Sequence, residues 1–374
     1  MDIIKVLIVD DSAVIRSIIK EALSSCESIK VIGEAEDPFV ARDLIKQLNP
    51  DVITLDVEMP KMDGITFLTN LMRLRPMPVV MLSTLTTKGA DITLQALELG
   101  AVDFIAKPSV QKLISTQKDF TETLIEKITQ AVTVDQKNFK LTNTLASTSQ
   151  KAPKIKGTRE SALPFSGVKR ANHLVAIGAS TGGTEAIKKV LERLPANSPA
   201  IVITLHIPKT FSLRFAERLN AHCHIEVHEA KHGQKIKSGN AYIAPGDKHL
   251  EIVHKNGALF CTLTDTIEVN RHKPSVDVLF DSLLDIASNV HAILLTGMGQ
   301  DGAQSLLRLK DKGAFTLIQD KSSSLIWGMP GRAYAISAHT IQSPLNKISQ
   351  RILDYAALDK GDMKVALKNA LDRR

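Results

Sequence analysis

Residues suited to phosphoryl chemistry follow each of four short strand-like runs in the first third of the chain. They are Asp10 and Asp11 after 3–9, Asp56 after 52–55, Ser83 after 79–82, and Lys107 after 103–106. Parallel strands present their carboxyl ends at one edge of a sheet, so these side chains are expected to converge there. A carboxylate that accepts a phosphoryl group needs a cation to offset charge repulsion, and clustered carboxylates suit Mg²⁺. We predict that Asp56 accepts the phosphoryl group and that Asp10, Asp11 and Asp56 hold Mg²⁺.

Two further groups complete this predicted pocket. Lys107 carries a compact positive charge that can contact the phosphoryl oxygens, and Pro108 after it suggests a cis peptide that aims the lysine inward. Ser83 offers a hydroxyl that can hydrogen-bond a phosphoryl oxygen and so report its arrival. Single polar residues at strand ends are common on protein surfaces, but four chemically matched groups at four strand ends favour a site.

A different chemistry is indicated by residues 174–183, LVAIGASTGG. The pattern G-x-S-x-G around Ser180 is typical of a sharp turn from strand to helix that exposes a nucleophilic hydroxyl. Backbone N–H groups can stabilise an oxyanion there, and Thr181 and Met298 are the candidate donors. A phosphate-binding loop is the alternative, but G-x-G-x-x-G is not matched and no ribose-binding acid follows a second strand.

A nucleophilic serine needs a base and an orienting acid. His206 ends the strand-like run 200–205, and Asp301 follows the run 292–296. The resulting order of serine, histidine and aspartate differs from the serine, acid, histidine order of α/β-hydrolases, so we predict a different fold with convergent geometry.

Other histidines offer alternatives. His249 with Asp247 could supply the base and acid from a loop. A metal site could use the closely spaced histidines His222, His224, His228 and His232. Alternation along a strand and a surface loop explains that spacing without a metal, and no cysteine or carboxylate completes a zinc pattern.

Strand-like and helical patterns alternate along most of the chain, which predicts two doubly wound parallel-sheet domains. The first set of strands covers 5–9, 30–35, 52–55, 79–82 and 103–106, with helices at 12–24, 37–48, 64–74 and 88–99. The second set has strands at 174–178, 200–205, 241–244 and 292–296, helices at 185–194, 212–219, 276–286 and 302–312, and a hairpin around Asn256 and Gly257. We predict domains at 1–125 and 171–355, a flexible linker at 126–170 and a charged helical tail at 356–374.

Composition limits the class of protein. The 374-residue chain, 44% apolar, is long enough for two hydrophobic cores. Its net charge is +7, and residues 137–173 alone carry a net charge of +7, from eight basic residues and one acid. A basic segment with almost no aromatic residues favours a solvated linker over a surface that binds nucleic acid. No membrane-spanning run or signal peptide is evident, and three scattered cysteines suit reduced thiols, so we expect a cytoplasmic protein.

Residues 1 to about 125 resemble the receiver domains of two-component response regulators. The resemblance rests on the acidic pair, on Lys107, and on residues 56–64, DVEMPKMDG. It implies a flavodoxin-like fold and phosphorylation by a partner histidine kinase.

Residues 174 to about 345 resemble the catalytic domain of the chemotaxis protein-glutamate methylesterases, and the fold is expected to be Rossmann-like. The matching stretches are 176–184, 204–208, 241–249, 270–277, 295–303 and 327–330. The family's triad falls on Ser180, His206 and Asp301, and its substrates are γ-methyl esters of methyl-accepting chemoreceptors, with glutamine deamidation as a side activity. A DNA-binding response regulator would need a basic recognition helix, which is not evident. A serine peptidase would use the same triad, and residue types do not distinguish an ester substrate from an amide substrate.

Overall fold

The structure is a computed structural model that describes residues 3–107, 113–134, 161–169 and 173–359. The chain divides into two compact units, Met1–Pro153 and Lys154–Arg374. Pro108, most of the predicted linker and the predicted tail beyond residue 359 lie outside the described residues. No helix among the described residues has the length and hydropathy required to cross a membrane.

The first unit contains a five-stranded parallel sheet in the order β2-β1-β3-β4-β5. Its strands are β1 Ile4–Val9, β2 Ile29–Ala35, β3 Val52–Asp56, β4 Val79–Ser83 and β5 Asp103–Ala106. Its helices are α1 Ala13–Ser24, α2 Pro38–Leu48, α3 Gly64–Leu74, α4 Thr87–Glu98 and α5 Leu113–Ala131. This is the flavodoxin-like order, and it confirms the predicted doubly wound fold.

Local sequence explains why these helices begin where they do. The Ser12 hydroxyl accepts a hydrogen bond from the N–H of Ile15, and the Asp37 carboxylate accepts from the N–H groups of Phe39 and Val40. These side chains satisfy N–H groups that have no partner within the helix. The helices therefore start one residue after the predicted positions 12 and 37. Helix α5 ends at Ala131, six residues into the segment predicted as linker.

The second unit contains a seven-stranded parallel sheet in the order β14-β13-β12-β6-β7-β9-β8, and a separate antiparallel hairpin, β10-β11. Its strands are β6 Leu174–Ala179, β7 Ala200–Leu205, β8 Glu226–Glu229, β9 Asn240–Ile243, β10 His249–Lys255, β11 Ala258–Thr264, β12 Val290–Leu294, β13 Phe315–Gln319 and β14 Ile341–Ser343. Its helices are α6 Gly183–Leu191, α7 Lys209–His222, α8 Val276–Asp281, α9 Ala303–Asp311, α10 Met329–Ala335 and α11 Leu345–Ala356. Strand order reverses between β6 and β12, which is where open parallel sheets bind ligands.

Side-chain hydrogen bonds explain why two elements of the second unit end before their predicted positions. The helix expected over 276–286 stops at Asp281 and is followed by a 3₁₀ helix at Leu284–Asn289. The Ser282 hydroxyl donates to the carbonyl of Leu279 and accepts from the N–H of Ile252, so this side chain competes with helical bonding. Strand β12 ends at Leu294 rather than 296, because the N–H of Thr296 donates to the Gln319 side chain.

Candidate active site

The nucleophile candidate Ser180 lies on a tight turn between β6 and α6. Its N–H donates to the carbonyl of Thr296 at 3.1 Å, and its carbonyl accepts from the N–H of Gly183 at 2.7 Å. Gly182 has a φ of 76°, a conformation that side chains with a Cβ rarely adopt. The turn therefore fixes the backbone on both sides of Ser180 and leaves the hydroxyl to project from the strand end.

His206 follows β7, the neighbour of β6, and lies beside Ser180. Its Nδ1 is 3.1 Å from Ser180 Oγ, and its Nε2 is 2.8 Å from Asp301 Oδ2. An ionised carboxylate only accepts hydrogen bonds, so Nε2 carries the proton and Nδ1 has the free lone pair. That tautomer lets Nδ1 take the proton of the serine hydroxyl, which is the function of a general base.

Asp301 is almost completely buried, with 1% of its surface exposed, and accepts five hydrogen bonds. The donors are His206 Nε2, the Asn270 amide, the Ser275 hydroxyl, and the N–H groups of Val276 and Asp277. Burial alone would raise the pKa of this carboxyl, but the His206 contact and the other donors outweigh it and hold the pKa below its ordinary value. Asp301 is therefore an ionised partner that orients the imidazole.

A second carboxylate lies behind the first. The Asn270 amide nitrogen is 2.6 Å from Asp277 Oδ2 and 2.8 Å from Asp301 Oδ1, so it bridges the two acids. Asp277 also accepts hydrogen bonds from the N–H and the hydroxyl of Ser305. Burial and the nearby charge of Asp301 raise the pKa of Asp277. The pKa values of the two acids therefore shift in opposite directions, and Asp301, whose pKa is lowered, is the acid that contacts His206.

The candidate oxyanion donors, Thr181 and Met298, belong to two segments that hydrogen bonds join. The Thr296 hydroxyl donates to the carbonyls of Thr181 and Ile326 and accepts from the N–H of Ile326. It thereby ties the nucleophile turn to the segment before α10. The N–H of Met298 donates to no protein group within the described part of the chain, so it remains available to a substrate oxygen. Thr181 is buried at the start of the turn, at 8% exposure.

The carboxylates at the sheet edge of the first unit also converge. Ligand atoms of Asp10, Asp11 and Asp56 all lie within 4.8 Å of one another, which fits a divalent cation. Lys107 Nζ is 2.8 Å from Asp10 Oδ2 and 2.7 Å from Asp56 Oδ2. Burial raises the pKa of Asp56 to about 6, although the contact with Lys107 opposes the rise. The structure brings together these four predicted residues.

Ser83, the fifth predicted residue of this pocket, is turned toward α4. Its hydroxyl accepts from Thr93 Oγ1 at 2.7 Å and donates toward the carbonyls of Thr84 and Gly89, at 3.2 and 3.3 Å. The side chain is fully buried. In this structure the Ser83 hydroxyl is therefore bound to groups of α4 and of the segment before it.

Comparison with known proteins matches both units to described families. Residues 175–352 match the family model described as CheB methylesterase, and residues 6–117 match the response regulator receiver domain. A protein-glutamate methylesterase/protein-glutamine glutaminase of Hydrogenovibrio crunogenus is 48% identical, over 94% of this chain and 99% of the relative. The chain belongs to this methylesterase/glutaminase family.

The chain is also similar to proteins of other organisms. A relative from Xanthomonas campestris pv. campestris with the same two-activity name is 49% identical, over 95% of this chain and 98% of its own length. The crystal structure of the Thermotoga maritima CheB methylesterase catalytic domain is 34% identical, covers 50% of this chain and 98% of that domain, and has a TM-score of 0.48.

The other candidate histidines of the second unit contact groups that differ from those expected. His249 is buried, with Nε2 against the carbonyl of Ile267 and Nδ1 accepting from the N–H of Ser275, while Asp247 pairs with Lys209. Among the described residues, the one group of acids, cysteines and histidines placed to hold a metal is the acidic trio of the receiver. The closely spaced histidines contact protein groups: His222 contacts the carbonyl of Arg218, His228 the side chain of Asn240, and His232 the N–H of Leu263.

Several residues that contact the candidate triad or its turn were not predicted from the sequence. Asn270 and Ser275 hydrogen-bond Asp301, Thr296 holds the nucleophile turn, and His272 stacks on His206 with ring centroids 3.6 Å apart. The stretch 270–277 carried a resemblance, but its residue types alone indicate no chemistry.

Proposed function

We propose that this protein is a phosphorylation-activated serine hydrolase that demethylates glutamate γ-methyl esters on methyl-accepting chemoreceptors and releases methanol. The single observation that carries the proposal is the connected set of Ser180, His206 and Asp301, with heavy-atom distances of 3.1 and 2.8 Å, in a chain that also has a receiver domain. The double name of the relatives supports glutamine deamidation as a second activity on the same acyl group.

The first half-reaction forms an acyl-enzyme. His206 Nδ1 removes the proton from Ser180 Oγ as the oxygen attacks the ester carbonyl. The imidazolium that results faces the ionised Asp301, which stabilises it. Charge that develops on the carbonyl oxygen is placed against the N–H groups of Thr181 and Met298. The C–O bond to the methoxy group then breaks, and His206 returns the proton to give methanol.

The second half-reaction restores the enzyme. Water gives a proton to His206 Nδ1 and attacks the acyl carbon, the bond to Ser180 Oγ breaks, and the serine takes the proton back. The product is a glutamic acid side chain, which releases its own proton to solvent and becomes the charged carboxylate. Deamidation follows the same route with ammonia as the leaving group.

The receiver residues would control this reaction. Asp56 is the proposed phosphoryl acceptor, Lys107 and Ser83 the proposed contacts of the phosphoryl oxygens, and Asp10, Asp11 and Asp56 the proposed Mg²⁺ ligands. A bound Mg²⁺ would offset the repulsion between the negative charges of the phosphate and the carboxylates. Phosphorylation shifts activity only if two states of the protein make different contacts, so we propose that the unphosphorylated receiver restrains the hydrolase.

The proposed partners follow from these two chemistries. They are a chemotaxis-type histidine kinase and chemoreceptors, with the enzyme in the cytoplasm, not embedded in the membrane and not bound to nucleic acid. We also propose two domains, expected at 1–125 and 171–355, with a linker at 126–170 and a tail at 356–374. Because α5 continues to Ala131, the first domain extends six residues into that linker.

Methanol release from methylated receptor membranes tests the proposal. We expect release by the full chain, faster with a small phosphodonor and Mg²⁺. Ser180→Ala should abolish release while Asp56 is still phosphorylated, and Asp56→Asn should release methanol at the basal rate with or without phosphodonor. Substantial release by the Ser180→Ala variant would refute the nucleophile assignment, and stimulation of the Asp56→Asn variant would refute the proposed control.

A further inference from the structure

A tight turn at 269–272 lies against the acid and base of the triad. Val269 and His272 exchange both backbone hydrogen bonds, at 3.1 and 3.0 Å, and the two residues between them, Asn270 and Arg271, have φ values of 52° and 67°. Positive φ at both central positions is the pattern of a type I′ turn. Asparagine tolerates this conformation, but arginine rarely adopts it. Strained backbone of this kind persists where its geometry is needed.

The first side chain of the turn contacts the acid. Asn270 directs its amide nitrogen at Asp301 Oδ1 and at Asp277 Oδ2, at 2.8 and 2.6 Å. One N–H group is therefore available for each carboxylate. Because Oδ1 of Asp301 is held by Asn270 and Ser275, Oδ2 is left directed at His206.

The last side chain of the turn covers the base. The rings of His272 and His206 are stacked, 3.6 Å between centroids and 19° between planes. An imidazole forms hydrogen bonds at its two ring nitrogens, so the bonds of His206 to Ser180 and Asp301 set the direction of these nitrogens but only weakly resist tilting of the ring. A ring stacked on the face opposes that tilt, and an aromatic face also stabilises the positive charge that forms on a general base.

We propose that the Val269–His272 turn is a positioning element for the acid–base pair, in which His272 fixes the plane of the His206 ring and Asn270 fixes the Asp301 carboxylate. The proposal rests on the proposed function, because it assumes that His206 activates Ser180. It makes neither His272 nor Asn270 a group that touches the reacting atoms.

The rate at which a fluorophosphonate probe labels Ser180 measures activation of the serine without any receptor substrate. We expect His272→Ala and His272→Gln to label at least about 10-fold more slowly than wild type, since small misplacement of a catalytic group has large effects on rate. His272→Phe keeps a flat ring and should stay within about 3-fold of wild type. Asn270→Ala should also slow labelling about 10-fold.

Matched controls separate this inference from the proposed function. His254→Ala removes an exposed imidazole from the β10-β11 hairpin and should label as wild type. Wild type that does not label at all would refute the proposed function, whereas equal rates for wild type and the His272→Gln variant would refute only the positioning role. A His272→Ala variant that does not fold leaves the decision to the glutamine and phenylalanine variants. With methylated receptors, the slow variants should show a lower kcat at unchanged KM, and a change in KM alone would contradict the inference.

Discussion

His206 meets Asp301 through Nε2, at 2.8 Å, which leaves Nδ1 directed at the serine. The proton on the imidazole is therefore held on the nitrogen that faces the acid. Since the neutral ring needs its lone pair on Nδ1, the charge of Asp301 selects the reactive tautomer as well as the ring orientation.

Replacement of Asp301 by asparagine should remove this selection. The amide can donate to Nε2 and favour the tautomer with its proton on Nδ1, and it no longer stabilises the imidazolium. We expect kcat for methanol release to fall by about 10³ to 10⁴-fold. The matched control is Asp311→Asn, an exposed acid at the end of α9, which should retain wild-type kcat. A loss below tenfold in the Asp301 variant would contradict the assigned role.

Asp56 should titrate near neutral pH. Burial raises its pKa to about 6 from an ordinary value of 3.8, because the pocket disfavours the charged form. We expect the carboxyl ¹³C signal of Asp56 in the full chain to titrate near pH 6 without divalent cations. Saturating Mg²⁺ should lower this midpoint, since a cation favours the carboxylate. A midpoint near 4 without cations would contradict the effect of burial.

The same pKa predicts how stability depends on pH. A carboxyl whose folded-state pKa is raised stabilises the fold fully below about pH 4 and loses that contribution as pH rises through about 6. The ionised form then costs at most about 3 kcal/mol, so Asp56→Asn should stabilise the receiver above pH 7 in the absence of divalent cations. Protection of buried β3 amides from hydrogen exchange measures this change. Glu27→Gln, at an exposed carboxyl of the same unit, should not alter it.

The Thr296 hydroxyl should be needed for a firm nucleophile turn. Thr296→Val removes its bonds to Thr181 and Ile326 and leaves buried backbone groups without this partner. We expect a loss of about 1–3 kcal/mol in the free energy of unfolding, and a drop in kcat of about 10-fold. Thr296→Ser keeps the hydroxyl and should retain most of the stability and most of the kcat. Thermal unfolding measures the first and methanol release the second. Equal defects in the two variants would point to lost packing instead.

Gly297 should accept no side chain. A Cβ at this position would lie 2.4 Å from Met329 Sδ, 2.8 Å from Ser180 Cβ and 2.9 Å from Ser180 N. Gly297→Ala is therefore expected to displace the nucleophile and lower kcat by about 10²-fold. Gly257→Asn is the control, because Gly257 has open space around it and asparagine tolerates its positive φ. Wild-type activity in the alanine variant would show that the turn can shift without harm.

The sequence allowed prediction of those parts of the site that depend on strand ends. Ser180 and His206 follow adjacent parallel strands, and the period and length of the apolar runs suffice to place them at one edge. The proximity of Asp10, Asp11 and Asp56 in the receiver can be predicted for the same reason. Their assigned roles remain predictions, but their proximity is a property of the fold.

The remaining features depend on contacts between distant segments. The rotamer of Ser83 is set by Thr93 on α4, and the conformation of the 269–272 turn is not signalled by any glycine. The helix break at Ser282 depends on a backbone group of β10. None of these contacts leaves a periodic pattern in the sequence, which is why local reasoning did not find them.

All three members of the Ser180 triad lie in the second unit. Ser180 and His206 directly follow β6 and β7, and Asp301 lies in the segment between β12 and α9. Among the described residues, the hydrogen bonds that hold these side chains all come from the second unit. The catalytic half is thus a transferable module, and evolution could place the same ester-cleaving machinery under a different input by exchanging the domain in front of it. The signal that regulates the enzyme and the reaction that it catalyses can therefore change independently in evolution.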